Sequence, residues 1–260
     1  MPFTLSHAAA ALPLRHVLRG AAVFPALVIG CFIPDIPYFL PEPLCNINAH
    51  HLPGLVLFGI PAGWTIYALC FGLLLEPSVA LLPRPYASLL SASASHKAVL
   101  ARPWSVTLSL LAGAVSHIVW DAFTHRRGFV VNAWPALTQP IWQVGTHTLP
   151  PYFILQHSST VVGILCLVFH VRRRLREAPP TSLIAESTPQ LPAKHKIAVA
   201  AALSIATVGL VCWTFSSANA PRFSAYNFVC CCISTSAAVT TIYALAWHAY
   251  QLRGTHRYQQ

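Results

Sequence analysis

The sequence predicts an all-α, polytopic helical membrane protein with about six spanning or re-entrant helices. Of its 260 residues, 55% are hydrophobic and only 8% are charged, whereas about 25% are charged in an ordinary soluble domain. A soluble protein with so few charges could not cover its surface with polar groups. Five apolar runs also have about the 20 residues that a helix needs to cross a bilayer. These two observations together define the predicted fold class.

The five predicted spans follow from the lengths of the apolar runs. Each run can cross the hydrocarbon core as one helix, because a helix rises about 1.5 Å per residue and the core is about 30 Å thick. Segments rich in proline or in basic residues separate the runs. The predicted spans are 54–75, 104–123, 153–171, 197–215 and 225–252.

The first 40 residues contain apolar stretches that are too short and too often interrupted to be one regular span. Pro13, Pro25, Pro34 and Pro37 fall within them, and proline ends or kinks a helix. We predict two short helices, at residues 6–19 and 21–33, which form either one kinked span or a partly re-entrant hairpin. A re-entrant backbone requires cover from protein or water at membrane depth.

Basic residues between the spans predict the orientation of the chain. The segment 172–196 contains the sequence "HVRRRLRE" at its start and "AKHK" at its end, and cytoplasmic loops are enriched in Lys and Arg. This places the segment and the C-terminus in the cytoplasm, and residues 34–53 and 126–151 on the outer side, although Arg126 and Arg127 oppose this orientation. The net charge of +10 is therefore explained by topology, and nucleic acid is not an expected partner.

The chain divides into four predicted parts. A helical membrane domain contains both aspartates and ten of the thirteen histidines, and a flexible cytoplasmic linker rich in Pro, Ser and Thr follows it. The chain then continues as a transmembrane helical hairpin and ends in a cytoplasmic tail. The four parts are residues 1–171, 172–196, 197–252 and 253–260.

A group of ionisable residues lies at the end of the second predicted span, in "SHIVWDAFTH". His117, Asp121 and His125 follow one another at intervals of four residues, so they project from one face of a helix. A carboxylate buried near a bilayer costs several kcal/mol unless it is paired. Imidazole nitrogen and carboxylate oxygen are typical ligands of zinc. This stretch alone is explained equally well by a hydrogen-bonded polar stripe between helices.

Three further motifs place histidine and aspartate on the same predicted outer side. "CFIPDIPYF" contains Asp35, "NAHHLPG" contains a histidine pair, and "LQHSS" contains His157. A structural polar network would need only Asn, Gln, Ser or Thr, so we predict a metal site near the outer membrane interface, with zinc as the expected ion. His7 belongs to it only if the N-terminal segment folds back to the outer side. The predicted metal ligands are His7, Asp35, His50, His51, His117 and Asp121, and the acid–base candidates are His125 and His157.

Several motifs together resemble a known family. "MPFTLSHAAAALPL", "PDIPYF", "HHLPG", "SHIVWDAFTH" and "LQHSS" are similar to bacterial polytopic membrane proteins of the domain of unknown function 4184 family. The resemblance covers nearly the whole chain. It implies a bacterial inner (plasma) membrane location but no established activity.

A more remote resemblance suggests an activity. The order His, Pro-Asp, His and Ser-His-x-x-x-Asp is similar to that of LexA-binding-type inner-membrane metal-dependent hydrolases, which have a distant likeness to zinc-dependent phospholipase C. The resemblance implies metal ligands at His7, Asp35, His51 (or His50), His117 and Asp121. Those relatives often have a further acidic residue or histidine where this chain has "PYF" after Asp35, which leaves the number of metals open.

Three functions remain as hypotheses. The first is a membrane-embedded metal-dependent hydrolase acting on a phosphoester or lipid-like substrate, with the bilayer as its surroundings. The alternative is a non-catalytic membrane protein in which the same residues form a structural metal site or a buried polar network. The third is a proton- or ion-coupled transporter, which would distribute ionisable groups across the membrane depth. The sequence assigns no oligomeric state.

Overall fold

The computed structural model describes residues 4–41, 43–92, 102–145, 147–177, 190–217 and 223–257. The predicted all-α fold is confirmed. A short antiparallel pair of strands, β1 (Trp142–Val144) and β2 (His147–Leu149), interrupts the helices. The helices are α1 (Ala11–Leu18), α2 (Phe24–Gly30), α3 (Leu52–Leu81), α4 (Arg84–Ala92), α5 (Pro103–Thr124), α6 (Phe129–Ala133), α7 (Pro151–Glu177), α8 (Ala193–Ser216) and α9 (Ala225–Arg257).

Five helical stretches in the described part of the chain are long and apolar enough to cross a membrane, which supports a membrane protein. They contain all five predicted spans and extend beyond most of them, because good helix formers such as arginine continue a helix past its apolar part. Residues 178–189 of the predicted linker lie outside the described residues, and α7 and α8 occupy parts of its two ends. The five stretches are Leu52–Leu81, Pro103–Ala133, Pro151–Glu177, Ala193–Ser216 and Ala225–Arg253.

The N-terminal region forms short helices, as the prolines predict. A 3₁₀ helix, Thr4–Ala10, leads directly into α1, and another, Ile33–Phe39, follows α2. Arg19 turns the chain between α1 and α2 with a φ of 47°, a left-handed conformation that is uncommon for a residue with a side chain. Each helix is therefore well short of the length that a span requires.

Glycines allow α2 and α5 to approach each other closely. A Cβ atom on Gly30 would lie 2.4 Å from the carbonyl oxygen of Leu110, and one on Gly113 would lie 2.4 Å from that of Leu27. Small residues have the same role where membrane helices cross at short distance. The contact brings the end of α2, and the aspartate that follows it, close to the middle of α5.

The chain comprises two compact units. Unit 1 contains α1, α2, α5, α6, α7 and the first part of α3, and both aspartates belong to it. Unit 2 contains the rest of α3 with α4, α8 and α9. Within unit 2, Nε2 of His248 lies 3.0 Å from the carbonyl oxygen of Leu73, and the ammonium of Lys196 donates to the carbonyl oxygen of Leu82 at 2.6 Å. These contacts join α9 and α8 to the α3–α4 region.

Candidate metal centre

Helix α5 presents an aspartate between two histidines. Nε2 of His117 lies 3.2 Å from Oδ2 of Asp121, one turn further along the helix. The helix ends at Thr124, and Nδ1 of His125 lies 3.2 Å from Oδ1 of the same aspartate. The two oxygens of Asp121 therefore face different histidines, as the spacing of four residues predicts.

Asp35 approaches this group from the 3₁₀ helix Ile33–Phe39. Its side chain is 2% exposed, and its Oδ2 accepts a hydrogen bond from the Thr4 hydroxyl at 2.8 Å. Its other oxygen, Oδ1, lies 3.6 Å from Nε2 of His117. Thr4 therefore holds one oxygen of the carboxylate and directs the other toward α5.

His50, in the segment just before α3, adds a fourth donor atom to those of Asp35, His117 and Asp121. Its Nε2 lies 3.5 Å from Oδ1 of Asp35 and 3.6 Å from Oδ2 of Asp121. Zinc binds nitrogen and oxygen ligands at about 2.0–2.2 Å with tetrahedral geometry, so two such ligands stand about 3.3–3.6 Å apart. Four of the six separations among Asp35, His50, His117 and Asp121, those between each histidine and each carboxylate, range from 3.2 to 3.6 Å, as expected for ligands that share one tetrahedral ion.

His7 joins the cluster because the N-terminal segment packs against α5. Its side chain is 3% exposed, and its Nε2 lies 3.4 Å from Oδ1 of Asp121. Its ring stacks on that of His117, with 3.9 Å between the ring centroids and 19° between the planes. The fold-back on which the prediction for His7 depended is therefore present.

A backbone contact sets the chemistry of His117. Its Nδ1 lies 2.7 Å from the carbonyl oxygen of Cys31. A carbonyl can only accept a hydrogen bond, so Nδ1 carries a proton, and Nε2 is the ring nitrogen that faces the carboxylates. Histidines that bind metals are held in the same way, by a hydrogen bond from the other ring nitrogen.

Four buried polar atoms in this cluster have no hydrogen-bond partner among the described residues. They are Nε2 of His7, Oδ1 of Asp35, Nε2 of His117 and Oδ1 of Asp121. An unsatisfied buried polar group costs about 1–3 kcal/mol, and more when it is charged. A bound divalent cation would satisfy lone pairs on both histidines and both carboxylates. The donor set and its unmet hydrogen bonds therefore fit a metal ion.

The whole cluster lies within a stretch of the chain that matches a known protein family. The family model for the domain of unknown function DUF4184 matches residues 1–249. The chain belongs to this family. No curated protein and no solved structure matches it. The description of the family names no activity, so the chemistry of this DUF4184 protein depends on the cluster itself.

Two predicted site residues of the DUF4184 protein stand apart from the cluster. His51 is exposed at the start of α3, and His157 is exposed on α7, where its ring packs edge-on against Phe153 at 4.2 Å. Among the described residues, two groups of three could hold a metal, and neither contains His51 or His157. The groups are His7 with His117 and Asp121, and Asp35 with His50 and His117.

Two supporting groups of the cluster have no clear signal in the sequence. The Thr4 hydroxyl comes from a short N-terminal segment, where threonine is unremarkable. The Cys31 carbonyl belongs to the backbone, so no residue type marks it. Only the packing of the N-terminal region against α5 shows that both groups support the cluster.

His50 of the DUF4184 protein has a strongly shifted pKa. Burial by itself lowers the pKa of His50, but the adjacent carboxylates of Asp121 and Asp35 raise it to about 9. In the metal-free protein His50 therefore carries a proton at neutral pH. That proton partly neutralises two carboxylates that would otherwise repel each other.

An apolar cavity of about 570 Å³ lies beside the cluster in unit 1, within the size range of ligand pockets. His7 belongs to its wall as well as to the cluster. Three serine hydroxyls in the wall donate to carbonyl oxygens of their own helices: Ser116 to Gly113, Ser158 to Leu155 and Ser159 to Gln156. The wall is formed by Ser6, His7, Ala9, Ala10, Pro13, Leu14, Ser116, Val119, Trp120, Leu155, Ser158, Ser159, Val162, Gly163 and Cys166.

Proposed function

We propose that this DUF4184 protein is a membrane-embedded metal-dependent hydrolase whose zinc ion is held by Asp35, His50, His117 and Asp121. The observation that carries the proposal is that Nε2 of His50 and Nε2 of His117 each lie 3.2 to 3.6 Å from an oxygen of both carboxylates, Asp35 and Asp121. The unpartnered atoms of Asp35 and His117 support it. The proposed location is the outer interface of a bacterial inner membrane, with the C-terminus in the cytoplasm.

The residues around the proposed ion divide into a closed side and an open side. The side chains of His117 and Asp35 are 0% and 2% exposed, so they exclude water from one side. Those of His50 and His125 are 25% and 27% exposed, so a substrate would arrive past them. Where one coordination position is open to water or substrate, a zinc ion lowers the pKa of the water and polarises a phosphoryl or acyl oxygen.

His125 is the proposed proton carrier. Its Nδ1 lies 3.2 Å from Asp121 and 3.3 Å from the Thr124 hydroxyl, so neighbouring groups orient the ring. A general base needs this combination of access to the reacting group and fixed orientation. The partly exposed ring can exchange its proton with water after each turnover.

The adjoining cavity favours a lipid-like substrate. An apolar cavity among helices that cross a membrane is suited to a hydrocarbon chain, and His7 links the cavity to the cluster. On α5, Ser116, Val119 and Trp120 border the cavity while His117 and Asp121 belong to the cluster. A phosphoester lipid could therefore place its chain in the cavity and its ester group at the ion.

A structural metal site is the second candidate, because four protein ligands are typical of closed structural zinc sites. The two candidates predict different defects. In a hydrolase, Asp121→Asn abolishes turnover in a folded protein, whereas in a structural site the same change unfolds unit 1. A transporter is less well supported, since the described aspartates and their histidines form one cluster rather than a chain of sites.

Metal analysis tests the proposal directly. The protein is purified in detergent, and bound metal is measured for the wild type, His117→Ala and Asp121→Ala, with His157→Ala as the matched histidine control. We expect at least one zinc per chain in the wild type and the control, and a large loss in the other two. Full metal content in both cluster variants would refute the site.

Hydrolysis tests the chemistry and the lipid-like substrate separately. Activity is measured with a water-soluble chromogenic phosphodiester and with a phospholipid in mixed micelles. Val162 and Val161 are adjacent on α7 and both 58% exposed, but only Val162 lines the cavity. We expect Val162→Trp to reduce lipid hydrolysis alone and Val161→Trp to reduce neither. Equal lipid hydrolysis by the two variants would contradict the role of the cavity.

A further inference from the structure

We infer that Asp121 bridges two cations, and that the second is held by Nε2 of His7, Nδ1 of His125 and Oδ1 of Asp121. The inference rests on the proposed metal site and extends it. The first position uses Oδ2 of Asp121, which faces His117 and His50 at 3.2 and 3.6 Å. The other oxygen faces His7 at 3.4 Å and His125 at 3.2 Å.

The number of donors exceeds what one tetrahedral ion can use. Zinc in proteins usually takes four ligands, and the first position already has four. Two further histidines nevertheless point ring nitrogens at the remaining oxygen of Asp121. One ion therefore uses neither His7 nor His125 as a ligand, whereas two ions use all six side chains. In the two-ion site His125 binds metal instead of carrying the proton.

Unmet hydrogen bonds point to the same second position. Nε2 of His7 and Oδ1 of Asp121 are both buried and have no hydrogen-bond partner in the described part of the chain. The His7 side chain is 3% exposed, so water does not readily satisfy its nitrogen. The atoms lie 3.4 Å apart, a separation that fits two ligands of one tetrahedral ion.

The surroundings hold these donors in place. The His7 ring is stacked on His117 at 3.9 Å, so its orientation is fixed by a residue of the first position. Gly163 of α7 lies close to the backbone of Ser6, the residue before His7, since a Cβ atom on Gly163 would lie 2.8 Å from the carbonyl oxygen of Ser6. The second position is therefore built by packing as well as by its ligands.

A second cation with three protein ligands has a different role from the first. An incomplete ligand set leaves a coordination position open to substrate, and His125, at 27% exposed, lies on the accessible side. Pairs of cations stabilise the attacking and leaving oxygens in phosphoester cleavage. The geometry therefore narrows the proposed substrate class from esters in general to phosphoesters.

Metal stoichiometry tests the inference. The purified protein is stripped with chelator, reloaded with zinc, desalted and measured for zinc per chain. We expect two ions in the wild type and in His157→Ala, and one in His7→Ala and in His125→Asn. His125 lies beyond the end of α5 and is partly exposed, so we expect His125→Asn to fold normally. This variant therefore tests the second position even if His7→Ala fails to fold.

Reconstitution with Mn²⁺ gives an independent readout by electron paramagnetic resonance. A carboxylate-bridged pair gives an exchange-coupled spectrum in the wild type, and His125→Asn should give the spectrum of isolated Mn²⁺. One ion per chain in the wild type, or two in both variants, would overturn the second position while the proposed hydrolase stands. A wild type without bound metal would refute the proposed function itself.

Discussion

His117 is held by the backbone of Cys31, whose carbonyl oxygen lies 2.7 Å from Nδ1 of the imidazole. The acceptor belongs to the turn after α2, whereas His117 lies in the middle of α5. The close packing of these helices therefore determines which ring nitrogen faces the two carboxylates. The orientation of one ligand in the candidate site thus depends on contacts between helices as well as on the ligand itself.

A mutation at this helix contact should weaken metal binding without touching a ligand. In Gly113→Ala, the new Cβ would lie 2.4 Å from the Leu27 carbonyl oxygen and 2.8 Å from the Cys31 nitrogen. We expect a loss of about 1–3 kcal/mol in the free energy of unfolding and weaker zinc binding, because Cys31 must move. Thermal unfolding and zinc titration in detergent measure the two effects.

Gly209→Ala is the matched control for that change. Gly209 lies within α8, and a Cβ atom there would meet nothing within 4 Å. We expect no loss of stability, since alanine favours a helix by about 1 kcal/mol over glycine. Equal destabilisation by the two variants would mean that close packing between α2 and α5 is not the cause.

Removing the Thr4 hydroxyl should weaken metal binding through Asp35. Thr4 donates to Oδ2 of Asp35 at 2.8 Å, and loss of such a supporting hydrogen bond typically costs 10–100-fold in metal affinity. We expect Thr4→Ala to bind zinc about 10–100-fold more weakly than the wild type, as measured by competition with a chromophoric chelator. Thr65→Ala serves as the control, because Thr65 donates to the Pro61 carbonyl within its own helix. Unchanged affinity in Thr4→Ala would exclude this role.

The adjacent histidines at the start of α3 should behave differently. His50 faces both aspartates, whereas His51 is exposed and belongs to neither possible metal group in the described residues. We expect His50→Ala to lose most bound zinc and His51→Ala to retain it, as measured by elemental analysis. The opposite pattern would mean that the segment before α3 turns the other histidine toward the ion.

Zinc binding should release a proton from His50. The pKa of His50 is raised from 6.5 to about 9 in the metal-free protein, and a histidine must lose its proton to bind a metal. Between these pH values, zinc must displace that proton, so the binding enthalpy should depend on the ionisation enthalpy of the buffer. Calorimetry of the wild type in two buffers should show this released proton near neutral pH and should no longer show it well above pH 9.

The same pKa shift predicts how the stability of the metal-free protein depends on pH. A group whose pKa is raised on folding stabilises the folded state fully below its unfolded value of 6.5. This contribution is lost as the pH rises through about 9. Chelated wild type should therefore lose stability over that range more steeply than chelated His50→Gln. Parallel stability curves for the two proteins would contradict the shift.

The spans and most of the donor set could be predicted from residues alone. Hydrophobic length is a property of each segment by itself, so all five spans were found before their neighbours were known. The pairing of His117 with Asp121 is also local, because both lie on one helix. The structure differs mainly at helix ends, such as that of α7 at Glu177, where arginines continue the helix beyond the apolar run.

The sequence by itself determined that this chain is a helical membrane protein and that its rare aspartates are accompanied by histidines. Only the tertiary structure decided that His50 rather than His51 faces Asp35, that His7 reaches Asp121, and that Thr4 and the Cys31 carbonyl support the cluster. The physical reason is that burial and helix periodicity act along the chain. Convergence of donor atoms depends instead on how closely α2 and the N-terminal segment pack against α5.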